Sequence, residues 1–249
     1  MMPKQRNTQR VVINCDMGES FGLYKMGDDE GMMPHITVAN VACGFHASDP
    51  TVMAKTVRLA KEHGVQVGAH PSLPDLQGFG RREMKLRPAE LTDCILYQVG
   101  ALTGFLDREG MALSHIKPHG SLYGMAARSP EVAAAVAAAV KVFGVPVLGM
   151  AGTQHETVYG AAGLAFISEY YADLEYDDDG NLIITREHHA VDPEAAAARA
   201  RRAVEDGKVA SVTGRDVPVR AQSICVHSDT PNAVAVARAV KAAIADHLG

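Results

Sequence analysis

The strongest constraint on the fold is a short pattern that occurs twice in the first third of the chain. In each copy an apolar run leads to a histidine among small or turn-forming residues: 36–43 leads to His46, and 65–69 leads to His70. The segment 50–62 between the two copies predicts a helix. A strand, a polar loop, a helix and a second strand in this order are typical of a parallel α/β fold.

Other short apolar runs along the chain also lead into polar residues, and they bring the count of strand-and-loop units to about seven. The groups that follow these runs are Asp16, His46, His70, His119, the loop after Gly149, Glu169 and His227. Parallel strands that close into a barrel bring their carboxyl ends to one rim, where enzymes of this class carry their active sites. The sequence therefore predicts a seven-stranded β/α barrel with a site at one end. The alternative is that these are unrelated polar groups, since polar strand ends are common in such folds.

Length and charge restrict the class of protein. The 249 residues suit a single large domain over 1–249, in which we expect residues 1–9 to be flexible. A net charge of −5 and the lack of Lys/Arg-rich runs argue against nucleic acid or an anionic membrane as the main partner. No apolar run approaches the roughly 20 residues of a membrane span, and no signal peptide opens the chain. We therefore expect a cytoplasmic protein with reduced thiols.

The polar groups at the strand ends suit acid–base chemistry. Histidine paired with a carboxylate can activate water and protonate a leaving group. The candidate catalytic residues are Asp16, Glu19, His46, His70 and His119. Three of them, Asp16, His46 and His70, could instead hold a divalent metal ion with an open position. The sequence does not separate a metal site from a metal-free cluster.

Basic residues near the same strand ends can bind an anion. Arg81, Arg82 and Lys117 can supply positive charge for a carboxylate or a developing oxyanion. The chain has neither the Gly-x-Ser-x-Gly motif of an acyl-enzyme hydrolase nor a nucleotide-binding P-loop. Attack of water on a carbonyl-type carbon is the simplest chemistry for these residues.

Five long segments resemble the signature blocks of the LamB/YcsF family. They are NCDMGESFG (14–22), ANVACGFHASDP (39–50), VGAHPSLPDLQGFGRR (67–82), IKPHGSLYG (116–124) and CVHSDTP (225–231). The resemblance covers nearly the whole chain. It implies a β/α barrel similar to that of the glycoside hydrolase/deacetylase superfamily.

The resemblance also implies an activity, which is the ATP-dependent cleavage of 5-oxoproline to L-glutamate together with separate B and C subunits. The partners would use the ATP to phosphorylate the lactam, and this chain would open the ring; a homo-oligomer is possible. The residues expected to bind the substrate are Asn14, Asn40, Arg81, Arg82, Lys117, Tyr123, Glu169 and His227. Two alternatives stay open: a metal-dependent, deacetylase-like amide hydrolase that acts alone, and a subunit that only binds its partners.

The chain departs from the family pattern at a few positions. Ser48 and Ser228 stand where the family usually has glycine, which are exchanges between small residues. Leu174 replaces a frequent arginine, and His188-His189 lie in a run that is usually apolar. The last two changes alter the charge near the predicted rim. Another lactam or cyclic amide is therefore an alternative substrate.

Overall fold

The computed structural model describes residues 10–183 and 189–249. The predicted flexibility of residues 1–9 and the departure at His188 lie outside these ranges. The strands are β1 (Val12–Met17), β2 (Val38–Ala42), β3 (Gln66–His70), β4 (Leu113–Ile116), β5 (Val147–Gly149), β6 (Phe166–Tyr171), β7 (Glu175–Tyr176), β8 (Leu182–Ile183), β9 (Lys208–Ala210), β10 (Asp216–Pro218) and β11 (Ser223–Cys225). The helices are α1 (Asp29–Met32), α2 (Pro50–His63), α3 (Pro88–Glu109), α4 (Gly120–Arg128), α5 (Pro130–Phe143), α6 (Gln154–Ala161), α7 (Pro193–Asp206) and α8 (Ala233–Ala243).

Seven of the strands form a closed barrel, which confirms the predicted architecture. Strands β1 to β6 lie side by side in chain order, and β11 fills the gap between β6 and β1. Every pairing in the barrel is parallel. All carboxyl ends of these strands therefore lie at the same end of the barrel, where loops carry functional groups.

Alternation along the first strand separates the apolar core from a polar interior. Asn14 and Asp16 share one face of β1, and their side chains bond to groups on other barrel strands. Ile13, Cys15 and Met17 lie on the opposite face and join the apolar core. Successive side chains of a strand point to opposite faces, so β1 places Asn14 and Asp16 inside the barrel and Ile13, Cys15 and Met17 beneath the helices.

The helices begin where the sequence provides a cap. The Asp49 side chain accepts from the backbone N–H groups of Thr51 and Val52 at the start of α2. Gly64 closes the same helix in the left-handed conformation, with φ 67°. None of the helices in the described part of the chain is long and apolar enough to cross a lipid bilayer.

One detail of the sequence interpretation is wrong. Glu169 is predicted to follow an apolar run, but it lies within β6, which extends to Tyr171. Tyr170 and Tyr171 continue the alternation, since Tyr170 packs in the core and Tyr171 lines the interior. At the end of the chain, α8 stops at Ala243 and is followed by a short 3-10 turn.

A glycine on β3 makes room inside the barrel for a histidine of β4. A Cβ atom on Gly68 of β3 would lie 2.3 Å from the imidazole ring of His115 on β4. His115 therefore crosses the barrel interior over the bare backbone of Gly68. There its Nε2 lies 2.6 Å from the amide oxygen of Asn40.

Candidate active site

A cavity of about 740 Å³ opens at the carboxyl end of the barrel. Its inner end is lined by Asp16, His70, Lys117 and His119, which come from three different strands and the loops that follow them. The mouth carries basic and polar groups, among them Arg81. The cavity thus joins a polar, buried end to an open one.

Asp16 is buried, and both of its carboxylate oxygens have partners. Its Oδ1 accepts from Asn40 Nδ2 at 2.8 Å and from Lys117 Nζ at 3.0 Å, and its Oδ2 lies 3.2 Å from His70 Nε2. Burial raises the pKa of this carboxyl, but His70 and Lys117 lower it more, so that the pKa lies well below its usual value. Asp16 is therefore ionised at neutral pH.

Lys117 holds a positive charge inside the barrel. Its Nζ lies 3.0 Å from Asp16 Oδ1 and 2.8 Å from Glu169 Oε1, and the residue is 2% exposed. The same nitrogen is 5.5 Å from the centre of the Tyr171 ring. Burial lowers the pKa of Lys117, whereas the carboxylates of Asp16 and Glu169 raise it more, so that it lies well above the usual value.

Two buried asparagines connect these charges to the rest of the interior. Asn40 Nδ2 donates to Asn14 Oδ1 at 2.8 Å as well as to Asp16. Asn14 Nδ2 donates to Ser223 Oγ at 2.8 Å, and Asn14 Oδ1 also accepts from Lys117 Nζ at 3.2 Å. Buried polar groups with all partners in place hold a rigid arrangement, so these amides orient Asp16 and Lys117.

Three histidines and Glu19 form a second group, the Glu–His cluster, beside Asp16. Glu19 Oε1 lies 3.1 Å from His46 Nε2 and 3.5 Å from His119 Nδ1. His119 Nδ1 in turn lies 3.0 Å from His70 Nε2. One ligand atom from each of the four side chains lies within 4.8 Å of the others.

Backbone carbonyl groups fix the orientation of two of these rings. His70 Nδ1 lies 2.7 Å from the carbonyl oxygen of Lys117, and His119 Nε2 lies 2.8 Å from that of Phe79. A carbonyl oxygen only accepts, so both nitrogens carry the hydrogen. The other nitrogen of each ring, His70 Nε2 and His119 Nδ1, therefore points into the cluster. Gly80, with φ +65°, brings this loop close, because a Cβ there would lie 2.8 Å from His46.

Burial governs the charge of the Glu–His cluster. It lowers the pKa of His46 and of His119 well below the usual histidine value, and the neighbouring His70 lowers both further. Burial also raises the pKa of Glu19. The imidazoles of His46 and His119 are thus neutral at neutral pH, and they contact a Glu19 carboxyl group that is reluctant to ionise.

A second ion pair lines one wall of the cavity. His227 Nδ1 lies 3.1 Å from both carboxylate oxygens of Asp173, and its backbone N–H donates to the same group at 2.7 Å. Burial lowers the pKa of His227, but Asp173 raises it more, to about 9. The ring of His227 stacks on Tyr171, with centres 5.6 Å apart. His227 is therefore a cationic group at neutral pH.

Residues 11–248 match the LamB/YcsF family over almost the full length of the chain. The chain belongs to the LamB/YcsF family. The lactam utilization protein lamB of Emericella nidulans is 49% identical over 237 residues, which cover 94% of this chain and 93% of that protein. The A subunit of the 5-oxoprolinase of Bacillus licheniformis is 46% identical over 236 residues, with 93% of each chain covered.

A solved structure supports the same assignment. The crystal structure of the lactam utilization protein from Thermus thermophilus superposes with a TM-score of 0.88 at 46% identity and covers 95% of this chain and 96% of that one. The LamB/YcsF family predicted from five sequence blocks is thereby confirmed.

This LamB/YcsF barrel brings all five predicted catalytic residues together. Asp16, His70 and His119 line the cavity, and Glu19 and His46 lie buried behind them. Two of the three predicted metal candidates, His46 and His70, belong to the Glu–His cluster. The third, Asp16, lies outside the cluster and contacts His70, whereas Glu19 and His119 complete the cluster.

The residues predicted to bind the substrate occupy different places. Lys117, Arg81, Tyr123 and His227 line the cavity. The hydroxyl of Tyr123 is buried without a hydrogen bond of normal geometry, although Tyr171 lies beside it. Three further residues, Asn14, Asn40 and Glu169, are buried in the interior around Lys117.

The two neighbouring arginines diverge. Arg81 lines the cavity and pairs with Asp229 at 2.8 Å between Nη2 and Oδ2. Arg82 lies away from the cavity, where its guanidinium group holds both oxygens of Asp75. Only the first of the two is positioned to meet a substrate.

Sequence reasoning missed Tyr171 and gave no role to Asp173. Tyr171 donates to Glu169 Oε2 at 3.0 Å and supports the ring of His227. The signal was available, because Tyr171 follows Glu169 by two residues and so shares its face of β6. Asp173 could be connected to His227 only once β6 and β11 were known to be neighbours.

Proposed function

We propose that this chain is the ring-opening component of an ATP-dependent 5-oxoprolinase, which hydrolyses 5-oxoproline to L-glutamate. One observation carries the proposal: ionised Asp16, the imidazole of His70 and the buried ammonium group of Lys117 meet at the inner end of a cavity. They do so in a chain that is 46% identical to the A subunit of a 5-oxoprolinase.

The chemistry of a lactam explains why ATP and partner subunits belong to this proposal. Amide resonance makes the ring carbon a poor electrophile, and phosphorylation of the lactam oxygen would make it open to attack by water. The sequence has no P-loop that could hold ATP for this step. We therefore assign ATP use and phosphorylation to the B and C subunits, and place the complex in the cytoplasm.

The acid–base roles follow from the charges of the site. Asp16 is a weak base because its pKa lies well below the usual value. His70, 3.2 Å away, is the better base, and the charge of Asp16 stabilises the imidazolium that forms. Water adds its oxygen to the ring carbon and gives a proton to His70. The ring C–N bond then breaks as His70 returns this proton to the nitrogen, which leaves an acyl phosphate. A second water hydrolyses the acyl phosphate to inorganic phosphate and the side-chain carboxylate of glutamate.

Positive groups would hold the negative charges of the substrate. Lys117 supplies a fixed charge at the inner end, where charge develops on oxygen as water attacks. Arg81 and His227 line the same cavity and can bind a carboxylate or a phosphate group. The cavity thus offers separate positive groups for a substrate with more than one anionic part.

The test is reconstitution with the B and C subunits. We expect glutamate to form from 5-oxoproline only when ATP and all three subunits are present. Asp16→Ala, His46→Ala and His70→Ala should each abolish glutamate formation, with circular dichroism unchanged. His63→Ala, which alters an exposed histidine on α2, is the control. Near-normal turnover in all three site variants would end the proposal.

The Glu–His cluster favours a second candidate, a metal-dependent amide hydrolase that acts alone on another lactam or cyclic amide. The wall near Leu174 and Leu182, which line the cavity, suits a less polar ring than 5-oxoproline. Ring opening of a cyclic amide without ATP or partners, together with stoichiometric metal, would favour this candidate over the first.

A further inference from the structure

We propose that Glu19, His46, His70 and His119 form a binding site for one divalent cation of the zinc class at the inner end of the cavity. The inference rests on the site of the proposed function and replaces one role there: while an ion is bound, His70 Nε2 holds it, so the ion instead of the imidazole would activate the water. The inference does not depend on which lactam is the substrate. It also differs from the metal site predicted from the sequence, because it includes Glu19 and His119 and leaves out Asp16.

The spacing of the ligand atoms is the first argument. Around a tetrahedral zinc ion with bonds of about 2.1 Å, ligand atoms lie about 3.4 Å apart. The separations are 3.1 Å between Glu19 Oε1 and His46 Nε2, and 3.5 Å between Glu19 Oε1 and His119 Nδ1. His119 Nδ1 and His70 Nε2 are 3.0 Å apart. The other pairs lie within 4.8 Å. The rings of His46 and His119 stack in parallel with centres 3.8 Å apart, so one of them must turn out of the stack before both nitrogens can face one ion.

The orientation of the rings is the second argument. The hydrogen of His70 Nδ1 is directed to the carbonyl oxygen of Lys117, and that of His119 Nε2 to the carbonyl oxygen of Phe79. Histidines that bind metals are commonly held in this way, with the second nitrogen donating to a carbonyl or carboxylate group. The lone pairs of His70 Nε2 and His119 Nδ1 then face each other. Because two lone pairs at this distance repel, a cation or a shared proton is needed between the two nitrogens.

The chemistry of the donors selects the class of ion. Imidazole nitrogens suit zinc, copper, iron and nickel, whereas magnesium and calcium prefer oxygen ligands. Three imidazoles with one carboxylate therefore match a zinc-class ion and not a hard cation. His70 and His119 also line the cavity, so a bound ion would lie within reach of a substrate oxygen and could polarise it.

Direct metal measurement tests the inference without any assay of activity. The full chain is stripped with a chelator, titrated with Zn²⁺ by calorimetry, and analysed for metal after gel filtration. We expect about one zinc per chain. His46→Asn and His119→Asn should each weaken binding by at least about a hundredfold, since even outer partners of a ligand are worth 10–100-fold. No binding by the wild-type chain would overturn the inference.

Two control variants test whether zinc binds outside the Glu–His cluster. His63→Asn removes an exposed histidine, and Glu169→Gln neutralises a buried carboxylate that pairs with Lys117 outside the cluster. Both should retain the metal. Equal losses in these controls and in the His46 and His119 variants would contradict the assignment.

X-ray absorption spectroscopy of the zinc-loaded wild-type chain covers the case in which the variants do not fold. We expect the zinc shell to contain imidazole scattering from three rings. Fewer than two rings would overturn the ligand set, and a shared proton would then explain the facing nitrogens. Glutamate formation by the reconstituted complex is measured separately, so that a metal-free but active complex would end this inference and leave the proposed function standing.

Discussion

Replacing Lys117 by methionine tests whether the interior of the barrel depends on one buried cation. Methionine keeps much of the length of the side chain but removes the charge that faces Asp16 at 3.0 Å and Glu169 at 2.8 Å. Breaking a buried ion pair by removing one partner typically costs about 3–5 kcal/mol, because the other charge stays buried without compensation. We expect Lys117→Met to lose at least this much free energy of unfolding at neutral pH.

The pH dependence of this loss identifies its cause. In the wild type the pKa of Asp16 lies below its unfolded value, so Asp16 contributes stability that is present above the unfolded pKa and lost as pH falls. Without Lys117, one of the groups that lower the pKa of Asp16 is lost while His70 remains, so the pKa of Asp16 lies higher in the variant than in the wild type. The variant therefore loses less stability from Asp16 as the pH falls, and the difference between the two proteins should shrink towards acid pH.

Urea unfolding at several pH values measures both effects. The matched control is Lys55→Met, which removes an ion pair of similar length, 2.7 Å to Glu30, from the surface. An exposed pair of this kind is worth about 0–1 kcal/mol. A loss for Lys117→Met as small as that of the control, or a loss that does not change with pH, would refute the reasoning.

Two further predictions concern the cavity wall and the barrel interior. His227 has a pKa of about 9, above its unfolded value, so it contributes stability below the unfolded pKa that is lost as pH rises through 9. Asp173→Asn should remove about 2–3 kcal/mol of stability near pH 6 and flatten this dependence, and parallel unfolding curves against pH would contradict it. Gly68→Ala places a Cβ 2.3 Å from His115 and should cost about 1–3 kcal/mol in thermal unfolding. Gly104→Ala, on the exposed face of α3, meets no atom within 4 Å and should instead stabilise by about 0.5–1 kcal/mol; equal effects at both glycines would be evidence against the argument.

The sequence predicted the architecture because its signals are local. Short apolar runs, caps such as Asp49 before Pro50, and polar groups after the runs are all readable without knowledge of the partners. Parallel topology then places the strand ends on one rim, so the meeting of Asp16 with His70 could be expected. The residues of the site could be named for the same reason.

The detailed contacts could not be predicted, because they depend on distances between strands. The sequence does not indicate that Arg81 lines the cavity while its neighbour Arg82 binds Asp75. The membership of the Glu–His cluster likewise depends on ring orientations that the carbonyl groups of Phe79 and Lys117 set. Such orientations follow from the loop backbone and not from residue type.

The closed order of the strands has a consequence for how the chain acquires its activity. Lys117 and Cys225, whose Nζ and Sγ atoms are 3.3 Å apart, are separated by 108 positions, and β11 must pair with β1 from the opposite end of the sequence. Contacts of such wide separation slow the folding of a chain. The charged groups of the interior are enclosed on all sides only when β1 pairs with β11, so the catalytic apparatus requires both ends of the chain.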